Sequence, residues 1–408
     1  MEQIQGGITA AKGFLAAHTA AGIKYQDRAD MAMIFSRQPC RVAGVFTSNV
    51  VKAAPVVWDK ERVETGKEIH AVVINAGIAN ACTGKEGMNY CKKTAQKAAK
   101  TLSISEDSVL LASTGVIGKQ LPIERITAGI DKLTEGLSCE LSAGTQAAKA
   151  IMTTDTKHKE IAVTFEACGV TATIGGMCKG SGMIHPNMCT MLAFLTTDFN
   201  ISKELLQKAL KEDVKETFNM ISVDGDTSTN DTLLLLSNGM AGNEELTKED
   251  AQYDSFKLAL HTVTEFLAKS MAADGEGATK LLEVRILGAE DKNQAAMLAK
   301  SIISSNLVKT AVYGNDANWG RILCAMGYAG VNFIPEQIDL WIESEGDGQL
   351  QLVKDGTATD YSEKLATKIL SAEQVNVIVD LKIGYETATA WGCDLTHDYI
   401  KINADYRS

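Results

Sequence analysis

The residue types with the most chemical reach gather between positions 175 and 198. Gly175, Gly176, Gly180 and Gly182 precede Pro186, and Thr190 then stands directly before Met191-Leu-Ala-Phe-Leu195 and Thr196-Thr-Asp198. The glycines and the proline argue against a regular element ahead of Thr190. The apolar run after it reads as a short buried strand. A threonine hydroxyl held at the mouth of a strand is a nucleophile once something removes its proton. The alternative is a threonine that simply starts a strand, as its β-propensity favours. Both readings stand on these residues alone.

Other groups invite the same weighing. Ser113-Thr114-Gly115 follows a strand-like run. A Thr-Gly step at a strand exit can aim a hydroxyl and a backbone N–H at one developing oxyanion, or it can be a turn braced by the threonine. Thr153-Thr154-Asp155-Thr156 collects hydroxyls and a carboxylate after an alanine-rich stretch, fit for a polar ligand or for capping. Lys179-Gly180-Ser181-Gly182 lacks the glycine order of a phosphate loop. Asp224-Gly-Asp226-Thr-Ser-Thr-Asn230-Asp231 lacks the glycine and the final glutamate of a calcium loop. Glu276, between Gly275 and Gly277, reads as a well-exposed loop charge or as a ligand for an amine. His185 stands five residues before Thr190, but no Ser/His/Asp spacing supports a triad, and it is not expected to be the base.

Strand-like and helix-like segments alternate around these groups. Residues 70–75 and 108–113 read as strands, with a helix over 89–102 between them. Residues 161–177 read as a hairpin turning at Cys168-Gly169. Ser202 opens a helix expected to run towards Met220, residues 231–236 read as a buried strand, and 248–271 and 293–306 as helices. Residues 338–343 and 350–353 form a second hairpin, and 375–379 and 399–403 read as further strands. The expected class is layered α/β with much antiparallel pairing. At 408 residues the chain is long enough for two domains, expected at 1–275 and 276–408.

A net charge of −11 argues against nucleic acid or an anionic membrane as partner. The nine cysteines show no CxxC pair and no zinc spacing, which suits reduced thiols in a cytoplasmic chain without a metal. No signal peptide and no membrane-spanning run is visible.

Taken together, the segments resemble the glutamate/ornithine N-acetyltransferase family of arginine biosynthesis. The resemblance is close at Lys179-Gly-Ser-Gly-Met183, Pro186-Asn-Met188 and Thr190-Met-Leu-Ala-Phe194. It continues at Phe46-Thr-Ser-Asn49, Lys52-Ala-Ala-Pro-Val56, Ala79-Asn-Ala-Cys-Thr-Gly84, Ser113-Thr-Gly115, Thr153-Thr-Asp-Thr156, Asp274-Gly-Glu-Gly-Ala-Thr279 and Gly314-Asn-Asp-Ala-Asn-Trp-Gly-Arg321. These blocks keep their order along essentially the whole chain.

The resemblance implies an N-terminal-nucleophile-like fold and a chain that cuts itself between Cys189 and Thr190, into fragments 1–189 and 190–408. The α-amine freed on Thr190, with an ordinary pKa near ~8, then serves as base for its own hydroxyl. It further implies an acyltransferase that takes acetyl from N2-acetyl-L-ornithine onto Thr190 and passes it to L-glutamate. Thr114 and Gly115 would stabilise the oxyanion, and Thr154, Lys179, Thr190, Glu276, Asn403 and Ser408 would contact substrate. No cofactor is implied; in some members acetyl-CoA is a co-substrate, making the enzyme bifunctional as an amino-acid N-acetyltransferase. Two copies of each fragment are expected in a heterotetramer. Cys189 replaces the alanine more usual before the nucleophile, His185 replaces a small residue, and Ala76-Gly-Ile78 departs from the family's Ser-Gly-Asn. The competing reading is a self-processing aminopeptidase or amidohydrolase, in which water resolves the acyl-enzyme.

Overall fold

The computed structural model describes residues 1–185 and 191–404; Thr190, Cys189 and Ser408 lie outside the described residues. Ten described strands come before residue 240: β1 (Glu2–Ile4), β2 (Phe14–Thr19), β3 (Met31–Phe46), β4 (Ile69–Ile78), β5 (Val109–Val116), β6 (Lys159–Ala167), β7 (Val170–Lys179), β8 (Leu192–Thr197), β9 (Ile221–Ser222) and β10 (Thr232–Ser237). Six follow: β11 (Leu281–Ala289), β12 (Asp339–Ser344), β13 (Gly348–Lys354), β14 (Thr357–Ala358), β15 (Gln374–Asp380) and β16 (Glu386–Cys393).

The chain divides into two compact units. The first comprises Met1–Gly180, Pro186–Phe218 and Thr227–Leu267; the second comprises Ser181–His185, Asn219–Asp226 and Ala268–Ser408. The main division thus falls at 267/268, inside the helix Ala251–Ala273, where the sequence had suggested 275/276.

The first unit holds one sheet in the order β1-β6-β7-β8-β10-β3-β4-β5, with β2 also paired to β3. Its parallel pairs are β8 with β10 and β4 with β5; the others are antiparallel. The inner strands are apolar on both faces, and alternation assigns each residue to one of two cores. Val72, Ile74 and Leu110 pack with Ala147, Ala148 and Ile151, from and just after the helix Leu141–Ala150. Val73 and Leu111 pack instead with Ala95 and Ala98 of the helix Lys85–Leu102 and with Ile126, Ile130 and Leu133 of the helix Ile123–Glu135. Helices on both faces of a mostly antiparallel sheet make the layered α/β class of the sequence reading.

The second unit carries a sheet ordered β14-β13-β12-β15-β11-β16-β9. Its parallel pairs are β11 with β15 and β16 with β9.

Local signals account for several elements. Cys168 and Gly169, at φ 50° and 74°, supply the two left-handed positions of a tight hairpin turn between β6 and β7. The Ser202 hydroxyl accepts from the Leu205 amide as an N-cap of the helix Lys203–Asp213. That helix stops at Asp213 and does not reach Met220.

Two expectations are corrected. Gly175 and Gly176 do not break the chain ahead of Thr190: they sit inside β7, which continues to Lys179. Glycine is required there by close packing, since a Cβ on Gly175 would lie 2.0 Å from the Gly7 carbonyl oxygen. Residues 399–403 are not a strand but part of the helix His397–Ala404. Thr396 caps it by accepting from the Asp398 amide, and Lys401 pairs with Asp398 at 2.7 Å one turn away.

Candidate active site

In the first unit, the end of β5 is shaped by two glycines. Gly115, at φ +127°, lies against Gly77 of β4 so closely that a Cβ on Gly115 would stand 2.2 Å from the Gly77 carbonyl carbon. Only glycine meets both the dihedral and the contact. Upstream, the Ser113 hydroxyl donates to Asn75 Oδ1 at 2.6 Å, and Asn75 Nδ2 donates to the Ile78 carbonyl at 2.9 Å. The two strand ends are therefore tied together where Thr114 and Gly115, both half-buried, reach the surface.

Lys179, the last residue of β7, meets this strand end. Its ammonium donates to Thr153 Oγ1 at 2.8 Å and to Thr114 Oγ1 at 3.3 Å. An ammonium only donates, so each hydroxyl accepts from it and keeps its own proton for another acceptor. The Thr114 O–H is thereby set up as a donor. Behind Lys179 is Asp155, with a fully buried side chain, 3.9 Å from Lys179 and 2.8 Å from Lys159. Asp155 also accepts from the amides of Gly180 at 2.7 Å and Thr153 at 3.0 Å. Burial alone would raise its carboxyl, but the charges of Lys179 and Lys159 and these hydrogen bonds outweigh it and hold the group well below the usual carboxylate range. Thr154 is half-buried on the turn between the helix Leu141–Ala150 and β6. From the sequence Asp155 was read only as the carboxylate of a cluster fit for a polar ligand or for capping, and Asn75 was given no role. The one signal for Asp155 was its i,i+4 spacing to Lys159 in a polar cluster.

In the second unit, Glu276 and Asn403 come together: Asn403 Nδ2 donates to Glu276 Oε2 at 2.8 Å. Glu276 is 7% exposed, which corrects the expectation of a well-exposed loop charge. Its carboxylate packs over Gly182, where a Cβ would stand 2.3 Å from Oε2. Its amide donates to the Ser181 carbonyl at 2.8 Å, and the Ser181 hydroxyl donates to the Asp274 carbonyl at 2.7 Å. The flanking glycines serve this enclosure: a Cβ on Gly277 would stand 2.6 Å from the Tyr399 amide nitrogen. His185 is half-buried, with Nδ1 3.0 Å from Ser222 Oγ. Burial first, then the Lys300 charge, lower its imidazole below the ordinary value. Among the described residues no group of three or more His, Cys, Asp or Glu is placed to hold a metal ion. None of the described helices is long and apolar enough to cross a membrane.

The end of β5 thus carries a threonine hydroxyl beside a lysine braced on a buried carboxylate. The chain belongs to the ArgJ family, whose model matches residues 15–408. Its relatives include the arginine biosynthesis bifunctional protein ArgJ of Symbiobacterium thermophilum, 50% identical over 410 residues and covering all of both chains. The protein of the same name from Thermotoga neapolitana is 48% identical over 398 residues, covering 97% of this chain and 99% of its own. Among solved structures, ArgJ of Bacillus halodurans is 50% identical at a TM-score of 0.49, covering 52% of this chain and 97% of that one. Ornithine acetyltransferase of Mycobacterium tuberculosis, complexed with ornithine, is 38% identical at a TM-score of 0.42, covering 47% and 99%.

Proposed function

We propose that this protein transfers the acetyl group of N2-acetyl-L-ornithine to L-glutamate through an acetyl ester on Thr190, after cutting its own chain between Cys189 and Thr190. Membership of the ArgJ family over residues 15–408, with relatives about half identical along the whole chain and named for arginine biosynthesis, carries this reading. Thr190 Oγ attacks the acetyl carbonyl while its own α-amine takes the hydroxyl proton. The tetrahedral intermediate collapses, and ornithine leaves with a proton on its amine. The amine of glutamate then attacks the ester, acetylglutamate departs, and the threonine is restored.

Thr114 and Gly115 hold the oxyanion in both halves, each donor commonly being worth ~3 kcal/mol. Lys179 keeps the Thr114 hydroxyl pointed as a donor, as the 3.3 Å contact supports. Thr154, Lys179, Glu276, Asn403 and Ser408 keep their substrate-contact roles as part of the proposal. The relatives' description as bifunctional supports acetyl-CoA as a second donor to the same threonine. A heterotetramer of two copies of each fragment, working in the cytoplasm, completes the reading.

The test is to incubate the enzyme with acetylornithine alone and locate the acetyl group by mass spectrometry. It should sit on Thr190 as an ester and be discharged by added glutamate. An unlabelled Thr190, or discharge by water faster than by glutamate, refutes the proposal.

A further inference from the structure

The oxyanion pair stands on β5 and the proposed nucleophile lies two residues before β8, and these two strands are not neighbours in the sheet. Something must fix one against the other, because transfer depends on their separation. Among the described residues of the first unit, Lys179 of β7, paired with Leu192, reaches Thr114 by one contact, and the segment entering β10 makes a second tie.

Strand β10 pairs in parallel with β8, Thr232 facing Leu192, and the Thr232 amide donates to the Met191 carbonyl at 2.9 Å. Two residues earlier, Asn230 is buried and sends its side chain to the other strand end. Its Nδ2 donates to the Ala79 carbonyl at 2.6 Å and to the Ser113 carbonyl at 2.7 Å. Ser113 directly precedes Thr114, and Ala79 follows the last residue of β4. The amide cannot turn over without loss, because its Oδ1 accepts from the Thr229 hydroxyl at 2.6 Å. The residues around it are held as well: the Asn230 amide donates to Ser228 Oγ at 3.1 Å, and the Ala53 amide donates to the Thr229 carbonyl at 2.9 Å.

We infer that Asn230 is a positioning residue that sets the distance between the nucleophile strand and the Thr114–Gly115 oxyanion donors. The inference rests on the acyl-threonine reading above. Asparagine is suited to the task because its NH2 carries two protons for two carbonyls, which neither aspartate nor a hydroxyl can match. A tie made to carbonyls on both strand ends restrains position along and across the strands. A displacement of about 1 Å at a reacting centre can lower turnover about 100-fold.

The experiment compares wild type with Asn230→Asp, Thr229→Val and Thr114→Ala, all as the full chain. Active sites are counted by acetyl-Thr190 titration, so that incomplete self-cleavage does not enter the rate. Asn230→Asp keeps the volume and removes the double donor. It should lower kcat at least ~10-fold while KM for acetylornithine stays within ~3-fold. Thr229→Val, which only frees the amide to turn over, should lower kcat in the same sense by less, and it decides the matter if the first variant does not fold. An unchanged kcat in both folded variants overturns the inference, as does a rise in KM with kcat preserved. Thr114→Ala separates the two layers. If it leaves kcat intact, the oxyanion reading itself fails; if it lowers kcat and the Asn230 and Thr229 variants do not, only the positioning role fails.

Discussion

Replacing Asp155 with asparagine removes a carboxylate and little else, so its effect tests the electrostatics of the site. Asp155 is in contact with two ammoniums, Lys159 at 2.8 Å and Lys179 at 3.9 Å, and its side chain is fully buried. The side chains of Lys159 and Lys179 are 2% and 10% exposed, so water cannot take over the lost interaction. Removing one partner of such a buried arrangement typically costs about 3–5 kcal/mol. By contrast, the exposed pair Lys60–Glu64, at 3.6 Å, is of the class worth about 0–1 kcal/mol. For a folding unit of this size each kcal/mol moves Tm by about 2–4 °C, so Asp155→Asn should unfold on the order of 10 °C earlier at pH 7.

The pH dependence has a definite sign. The folded carboxyl is held below its unfolded value, so its contribution is complete above the unfolded pKa of about 3.9 and is lost as pH falls towards the depressed folded value. The gap between wild type and variant should therefore be constant from about pH 5 to pH 8 and narrow below about pH 4. Scanning calorimetry across that range measures both. A gap under ~2 °C at pH 7, or one that widens in acid, refutes the reasoning.

Three other outcomes follow from the same geometry. Gly115→Ala forces a Cβ to 2.2 Å from the Gly77 backbone at φ +127°, and should lower turnover at least ~100-fold in a steady-state assay. Glu276→Gln should raise KM for the amino-acid substrates at least ~10-fold with a smaller change in kcat, by loss of a buried carboxylate suited to a ligand amine. Ser202→Ala deletes the cap accepted from Leu205 and should cost about 1 kcal/mol in denaturant titration with turnover unchanged.

Much of the frame was legible because it is written locally. The Cys168-Gly169 turn, the Ser202 cap and the apolar runs of β4, β5, β8 and β10 each carry their cause within a few residues. The C-terminal helix was misread because Tyr399-Ile-Lys-Ile-Asn403 also alternates like a strand, and its helical signals, Thr396 and the Asp398–Lys401 pair, are polar and short. Strand β3 was not anticipated. Arg37, Gln38 and Pro39 interrupt it like a turn, yet the strand passes through them with a register shift between Phe35 and Cys40. Its first part pairs with β2 and β4, Cys40 after the shift still with Ile69 of β4, and Arg41 to Phe46 with β10, a choice made by distant partners.

At the site the division is similar. Thr114 and Gly115 were singled out from their residue types and Lys179 through the family resemblance, and the structure brings Lys179 to Thr114. Asp155 was read only within a polar cluster and Asn230 only within a segment that fails as a calcium loop, because their importance lies in what faces them across 24 and 151 residues of chain: Asp155 with Lys179, and Asn230 with Ala79. Glu276 was misjudged because glycines beside a charge suggest a solvated loop, whereas here they allow backbone to close over it.

The central claim is that the working enzyme begins a chain at Thr190. Purified active protein, run on a denaturing gel beside Thr190→Ala and subjected to N-terminal sequencing, addresses it most directly. The account predicts two bands, 1–189 and 190–408, the second starting Thr-Met-Leu-Ala-Phe, and a single uncut band for the inactive variant. Full activity in material whose Cys189–Thr190 bond is intact would contradict it.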